Sequence, residues 1–362
     1  MEGRVTTAGI WSVGTYLPPI LRTNDYWAPD IVETWRARQQ RNLTRAQGAD
    51  DGALGDGART IIKHMMRFKD DPFEGVVSRH IMPDDMRSSD MEMAAAKQAM
   101  ERAGIGPGDV DMLLVQTTTP DWLHVPTAVR LHHELGLAAH CHTLQTDGMC
   151  NAFMQQLLFA DAMIRVGRIR IAVVVQACGM NRFLLPEDQF SAWFGDGATA
   201  VVIGPVADDK GILSVKHATD GRVYGGCVTG VPGKRWYDDG RTVIYLENPR
   251  GARDQFLSIG DTARPLMDAA LAAAGAKAEQ VDFLACHQAS AWLPPAVQEH
   301  TGLVNARRVD TFVECASLSG ANLPLVMDKA LRSSQLRDGD LVAMYSGAAG
   351  MTASALIYRW GR

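Results

Sequence analysis

Ala103-Gly104-Ile105 followed by Asp109-Val110-Asp111-Met112-Leu113-Leu114 returns, 171 residues later, as Ala274-Gly275-Ala276 followed by Gln280-Val281-Asp282-Phe283-Leu284-Ala285. Each segment reads as a helix end, a glycine that closes it, a short polar turn and a strand entering a core. The same offset sets Cys150-Asn151 against Ala321-Asn322. Near the ends of the halves, Gly197-Ala198-Thr199-Ala200-Val201-Val202-Ile203 resembles Gly350-Met351-Thr352-Ala353-Ser354-Ala355-Leu356-Ile357, with a slightly different offset. Helix-glycine-strand joints look alike in any α/β protein, but several matches in the same order point to internal duplication.

Outward from those joints, apolar β-branched runs alternate with alanine-rich helical patterns. Strands are predicted over 10–14, 112–116, 140–145, 171–176 and 198–203, then over 213–217, 281–286, 308–313, 341–345 and 353–358. Helices are predicted over 90–103, 152–166, 262–274 and 324–332. The alternation predicts an α/β protein of layered sheets and helices. The boundary between halves is expected near Pro205-Val206-Ala207-Asp208-Asp209, giving residues 1–206 and 207–362. The polar, glycine-punctuated stretch 24–71 reads as an insertion or cap holding helices over 31–40 and 58–66.

Composition limits the functional classes. Apolar residues are 46% and charged residues 21% of 362, with a formal net charge of −5, as expected of a soluble globular protein of two domains or one fused pair. No lysine- or arginine-rich run suggests nucleic acid. The apolar run from Ile171 to Val175 is far too short to cross a bilayer. Met1-Glu2-Gly3-Arg4 lacks the layout of a secretory leader, so the expectation is cytoplasmic. The six cysteines, Cys141, Cys150, Cys178, Cys227, Cys286 and Cys315, form no C-x-x-C pair and are expected as free thiols. His140-Cys141-His142 on a strand would split its side chains between faces, and His132-His133 reads as one helix face, so no metal site is expected.

Four segments carry chemistry. Cys150 follows a predicted strand and the turn Thr146-Asp147-Gly148-Met149, and precedes a helix. Unpaired N–H groups and the dipole at a helix start favour a thiolate, the nucleophile of covalent acyl transfer; the bland reading is a cysteine packed under a first turn. His287, in Cys286-His287-Gln288-Ala289, ends a predicted strand, where ligand crevices open in α/β folds. There an imidazole takes a proton or donates to an oxyanion, or is a satisfied core histidine. Cys315-Ala316-Ser317-Leu318-Ser319-Gly320-Ala321-Asn322 either caps the following helix or aims a hydroxyl or amide at a site. Ser346-Gly347-Ala348-Ala349-Gly350-Met351 is an ordinary tight turn or a source of oxyanion N–H donors.

Together these segments resemble the β-ketoacyl-acyl-carrier-protein synthase III family of the thiolase superfamily. Val13-Gly14-Thr15-Tyr16-Leu17-Pro18 with Arg22-Thr23-Asn24 resembles its opening strand, and Ser78-Arg79-His80-Ile81 its next landmark. Thr117-Thr118-Thr119-Pro120 with Pro126 is similar to its dimer-interface loop. Phe194-Gly195-Asp196-Gly197-Ala198, His287-Gln288-Ala289 and Ser354-Ala355-Leu356 complete a match running almost end to end. The resemblance implies a five-layered α-β-α-β-α fold from two duplicated halves, usually a homodimer. It assigns the acyl-carrying nucleophile to Cys150, the catalytic histidine to His287, and the oxyanion hole to the backbone N–H groups of Cys150 and Ala348. It also places Val125, Trp292 and Asn322 around the substrate. No tightly bound cofactor is implied; a coenzyme A or phosphopantetheine thioester is the substrate, an acyl carrier protein a possible partner, and a small molecule the acceptor.

The chain departs from this pattern at three places. Ser317 stands where the family has an asparagine that helps the histidine stabilise an enolate, and a serine offers no amide N–H₂. Lys69 and Phe73 stand where the family has an adenine-stacking tryptophan and a phosphate-binding arginine. Trp292 replaces an arginine that docks the carrier protein. Val125, matching a residue that the partner subunit pushes into the pocket floor, would leave room for a larger acyl group. The expected activity is therefore acyl transfer from Cys150 to an alcohol or amine, in specialised or fatty-acid-related metabolism. The alternatives are decarboxylative Claisen condensation, with Ser317 or a water assisting, and a non-catalytic thiolase-fold partner subunit.

Overall fold

The computed structural model describes residues 7–48 and 54–362; the Met1–Arg4 segment read for a leader lies outside them. The strands are β1 (Ala8–Tyr16), β2 (Ile20–Thr23), β3 (Ser78–Ile81), β4 (Met112–Thr117), β5 (His142–Gln145), β6 (Ala172–Cys178), β7 (Gly197–Pro205), β8 (Gly211–Thr219), β9 (Val228–Gly230), β10 (Val243–Tyr245), β11 (Phe283–Cys286), β12 (Leu341–Ala348) and β13 (Thr352–Arg359). The helices are α1 (Pro29–Gly48), α2 (Asp56–Met65), α3 (Ser88–Ala103), α4 (Thr127–Glu134), α5 (Ala152–Arg165), α6 (Phe190–Trp193), α7 (Pro249–Leu257), α8 (Ile259–Ala273), α9 (Leu293–Thr301), α10 (Phe312–Cys315) and α11 (Asn322–Arg332).

Two sheets repeat one topology. The first runs β1-β7-β6-β4-β5 and the second, taken in the same sense, β8-β13-β12-β11. In both, the first two pairings are antiparallel and the next parallel. Strand alternation gives each sheet two apolar faces. Met112, Leu114, Val174 and Val201 of one sheet and Phe283, Met344 and Leu356 of the other share a core with Phe153 and Leu157 of α5 and Val326 and Met327 of α11. Leu113, Val115 and Val173 pack outward against α3 and α4, and Leu284, Ala343 and Ile357 against α8 and α9. The result is the five-layered α-β-α-β-α arrangement. Gly14 shows how close the layers come: a Cβ there would lie 2.2 Å from the Ala95 carbonyl oxygen of α3.

Where the first sheet has its fifth strand, the second has one isolated bridge, Arg307 to Phe283. The strand predicted over 308–313 is therefore absent. Val309 and Val313 gave that stretch its β character, but the backbone N–H groups of Thr311 and Phe312 turn to the side-chain oxygen of Gln288, at 2.8 and 3.0 Å, and α10 begins. The strand predicted from His140 starts at His142, because His140 lies in the preceding turn. In the stretch read as an insertion, α1 is twice the length of the helix predicted there. Its Trp35 packs with Trp27 and Phe73. Helix α2 joins the outer layer through Ile61, and Asp261 of α8 accepts from the Gly57 N–H at its start (2.9 Å).

Candidate functional site

Cys150 sits in a single 3₁₀ turn, Met149–Asn151, that leads directly into α5. Met149 enters that turn in the left-handed region (φ 47°), uncommon for a side chain this large and frequent where geometry is held for function. The residue is partly exposed. Its sulfur lies 3.6 Å from the Ser319 hydroxyl. Burial pushes the thiol up; the Ser319 hydroxyl and the backbone N–H groups of Cys150 and Ala349 oppose that push. Desolvation outweighs these donors, so the thiol form is favoured relative to a free cysteine. The other five thiols are also pushed up by burial, and Cys150 is the one served by two backbone amides and a hydroxyl.

His287 follows the last residue of β11. Its N–H donates to the Tyr345 carbonyl on β12 (2.9 Å), and the next β12 residue, Ser346, donates its hydroxyl to the Cys150 carbonyl (2.7 Å). One strand thus braces both residues. The imidazole is buried, neither ring nitrogen has a partner, and desolvation lowers its pKa to about 4. At neutral pH it is an uncharged ring that can donate from one nitrogen and accept at the other.

The remaining expected residues divide. Ser317 is buried, its hydroxyl accepting from the Ser319 N–H (3.4 Å), so it shapes the turn while Ser319 touches the sulfur. Ser319 was missed as a site residue; the serine repeat at 317 and 319 was the available signal. Asn322 opens α11 and accepts from the Gln288 N–H (2.6 Å); its buried Nδ2 has no partner. Ala348 lies at the end of β12, its carbonyl accepting from the Gln255 side chain (2.7 Å). The turn amide against the sulfur belongs to Ala349. Trp292 is packed in the core with residues of α8 and α9 and donates to the Glu74 carboxylate (2.9 Å). Val125 is exposed, with Trp122, Leu123 and Val129. The described residues include no group of three or more metal-ligating side chains, and no helix among them is long and apolar enough to cross a membrane.

This arrangement, a cysteine and a histidine contributed by the two halves of a doubled sheet fold, is that of a thiolase-fold protein. Solved structures agree. 3-Oxoacyl-(acyl carrier protein) synthase III, FabH, from Pseudomonas aeruginosa PAO1 superposes with a TM-score of 0.75, covering 98% of this chain and 99% of that one at 24% identity. The priming β-ketosynthase of the R1128 polyketide pathway gives a TM-score of 0.77, covering 99% and 98% at 24% identity. In sequence, the family model for 3-oxoacyl-[acyl-carrier-protein (ACP)] synthase III matches residues 145–221, and that for its C-terminal part residues 271–360. The β-ketoacyl-[acyl-carrier-protein] synthase III of Geobacillus kaustophilus is 32% identical over 80% of this chain and 88% of its own length. That of Bacillus pumilus is 30% identical over the same shares. The chain belongs to the β-ketoacyl-[acyl-carrier-protein] synthase III family.

Proposed function

We propose that this chain is an acyltransferase that carries its acyl group on Cys150. The Cys150 sulfur attacks a thioester carbonyl of an acyl-coenzyme A or acyl-carrier protein, and a tetrahedral oxyanion forms. Collapse breaks the bond to the carrier sulfur, which leaves with the proton that Cys150 gave up. In the second half, His287 takes a proton from an alcohol or amine acceptor, whose oxygen or nitrogen attacks the acyl-cysteine. Collapse expels the Cys150 thiolate, which recovers the proton from His287. Ser319 and the Ala349 amide stabilise the Cys150 thiolate, and the amides of Cys150 and Ala348 the oxyanion as it develops.

The observation that carries this reading is the bracing of Cys150 and His287 by adjacent residues of β12, with a hydroxyl and two amides at the sulfur and no amide side chain at position 317. Retention of both residues argues against a non-catalytic partner subunit. The test is to load the protein with labelled acyl-coenzyme A and then add hydroxyl and amine acceptors. Label leaving as an ester or amide, without carbon dioxide, supports transfer; label retained until a malonyl thioester is added, with carbon dioxide released, refutes it in favour of condensation. One observation favours that second reading: the unpaired Nδ2 of Asn322, one residue from His287 by hydrogen bond, is an amide donor that an enolate could use.

The exposed Trp122, Leu123, Val125 and Val129, beside the open edge strand β5, support a homodimer through this face. A monomeric mass by light scattering at micromolar concentration would exclude it.

A further inference from the structure

Behind the nucleophile lies a row of polar residues on adjacent strands. Register aligns Gln116 on β4 with Gln176 on β6, and Gln176 with Thr199 on β7. All three are fully buried. Met112 and Leu114 of β4 pack into the central core and Leu113 and Val115 into the outer one, so alternation turns Gln116 inward, toward α5 and α11.

Two members of the row are hydrogen-bonded. Gln176 accepts from the Thr199 hydroxyl (3.2 Å) and donates to Gln156, which donates to Thr146 (3.0 Å); Thr199 also reaches the Ala321 carbonyl (3.2 Å). Gln116 is different: neither its oxygen nor its nitrogen has a partner. Its place is defined by Gly320. A Cβ there would lie 2.5 Å from the Gln116 side-chain oxygen, 2.8 Å from the Met149 carbonyl oxygen and 3.4 Å from the Ala152 Cβ. Met149 precedes the nucleophile, Ala152 begins its helix, and Gly320 follows the serine that touches its sulfur. The unpaired amide therefore abuts the turn that holds Cys150.

A buried primary amide without partners is costly, and one retained in a native core calls for a specific use. We infer that Gln116 is a specificity residue, which hydrogen-bonds an oxygen substituent on the first few carbons of the acyl group carried by Cys150. The amide offers both a donor and an acceptor, so it suits a hydroxyl or carbonyl oxygen. The substrate class is then a short acyl thioester bearing a hydroxyl or carboxyl group near the thioester, in preference to a plain alkyl one. A site built to bond such a group discriminates against the analogue lacking it, because its polar atoms then stay unpaired. This inference rests on the proposed acylation of Cys150.

The test measures the rate of Cys150 acylation by mass spectrometry, using butyryl-, 3-hydroxybutyryl- and malonyl-coenzyme A with the wild type and with Gln116→Leu and Gln116→Met. The wild type is expected to take up the hydroxylated or the carboxylated group faster than butyryl by about tenfold, the scale of one buried hydrogen bond. Both variants are expected to lose that preference while still accepting butyryl. A faster 3-hydroxybutyryl group identifies a hydroxyl as the partner, and a faster malonyl group a carboxylate. Equal wild-type rates with all three thioesters overturn the inference whatever the variants do, as does a preference that survives both substitutions. Absence of any adduct in the wild type removes the acylation reading itself, and this inference with it.

Discussion

Ser319→Ala removes the one side-chain hydroxyl that, among the described residues, bonds the Cys150 sulfur. The contact is 3.6 Å long, and the hydroxyl is the largest of the influences opposing burial at this thiol. A weak hydrogen bond of this kind contributes about 0.5–1 kcal/mol, which its loss takes from the thiolate relative to the thiol. The sign follows from what the bond favours: a donor stabilises the thiolate over the thiol, so its loss raises the pKa. Below that pKa the thiolate fraction, and with it the alkylation rate, falls by about two- to fivefold. The assay is the pH dependence of Cys150 alkylation by iodoacetamide, followed on the peptide containing Cys150 so that the other thiols do not contribute. Ser319→Gly supplies the control. Ser319 has φ 50°, a conformation that glycine adopts freely, so this variant should show the same pKa rise while being about 1 kcal/mol more stable than Ser319→Ala. An unchanged or lowered thiol pKa in both variants would refute the reasoning.

Three further outcomes are expected. His287, held at about 4 by burial, binds its proton less readily folded than unfolded; its contribution to stability is full above about pH 6.5 and is lost as pH falls toward 4, by about 3 kcal/mol. His287→Asn should flatten that acid limb in denaturant melts, and an unchanged limb would contradict it. Glu92, raised to about 8 by burial, behaves oppositely: its contribution is present at pH 4.5 and lost as pH rises through 8, so Glu92→Gln should stabilise the protein more at pH 8 than at pH 5. Gly57→Ala, whose Cβ would lie 2.2 Å from the Asp261 backbone nitrogen, should force α2 off α8 and cost about 1–3 kcal/mol, read as a lowered Tm.

Much of the fold was legible because duplication repeats its joints. Met112–Leu114 and Phe283–Ala285 lie in corresponding strands, β4 and β11, at the predicted offset. The placement of Cys150 just ahead of a helix and of His287 just after a strand was legible from local patterning. What was not legible depended on contacts distant in sequence. Gln288 draws residues 311 and 312 out of a strand. Trp292 donates to Glu74, 218 residues away. The balance of burial against donors at Cys150 is set by Ser319, 169 residues away, and local helix-start reasoning has no access to it. Nothing in the run Met112–Thr117 marks Gln116 as unpaired; the three-dimensional surroundings of its side chain do.

The central claim is that Cys150 takes up an acyl group from a thioester. Incubation of the wild type and of Cys150→Ala with acyl-coenzyme A, followed by intact-protein mass spectrometry, tests it most directly. The account predicts one acyl adduct on the wild type, mapping to Cys150 and missing from the variant; an adduct of equal extent on both proteins would contradict it.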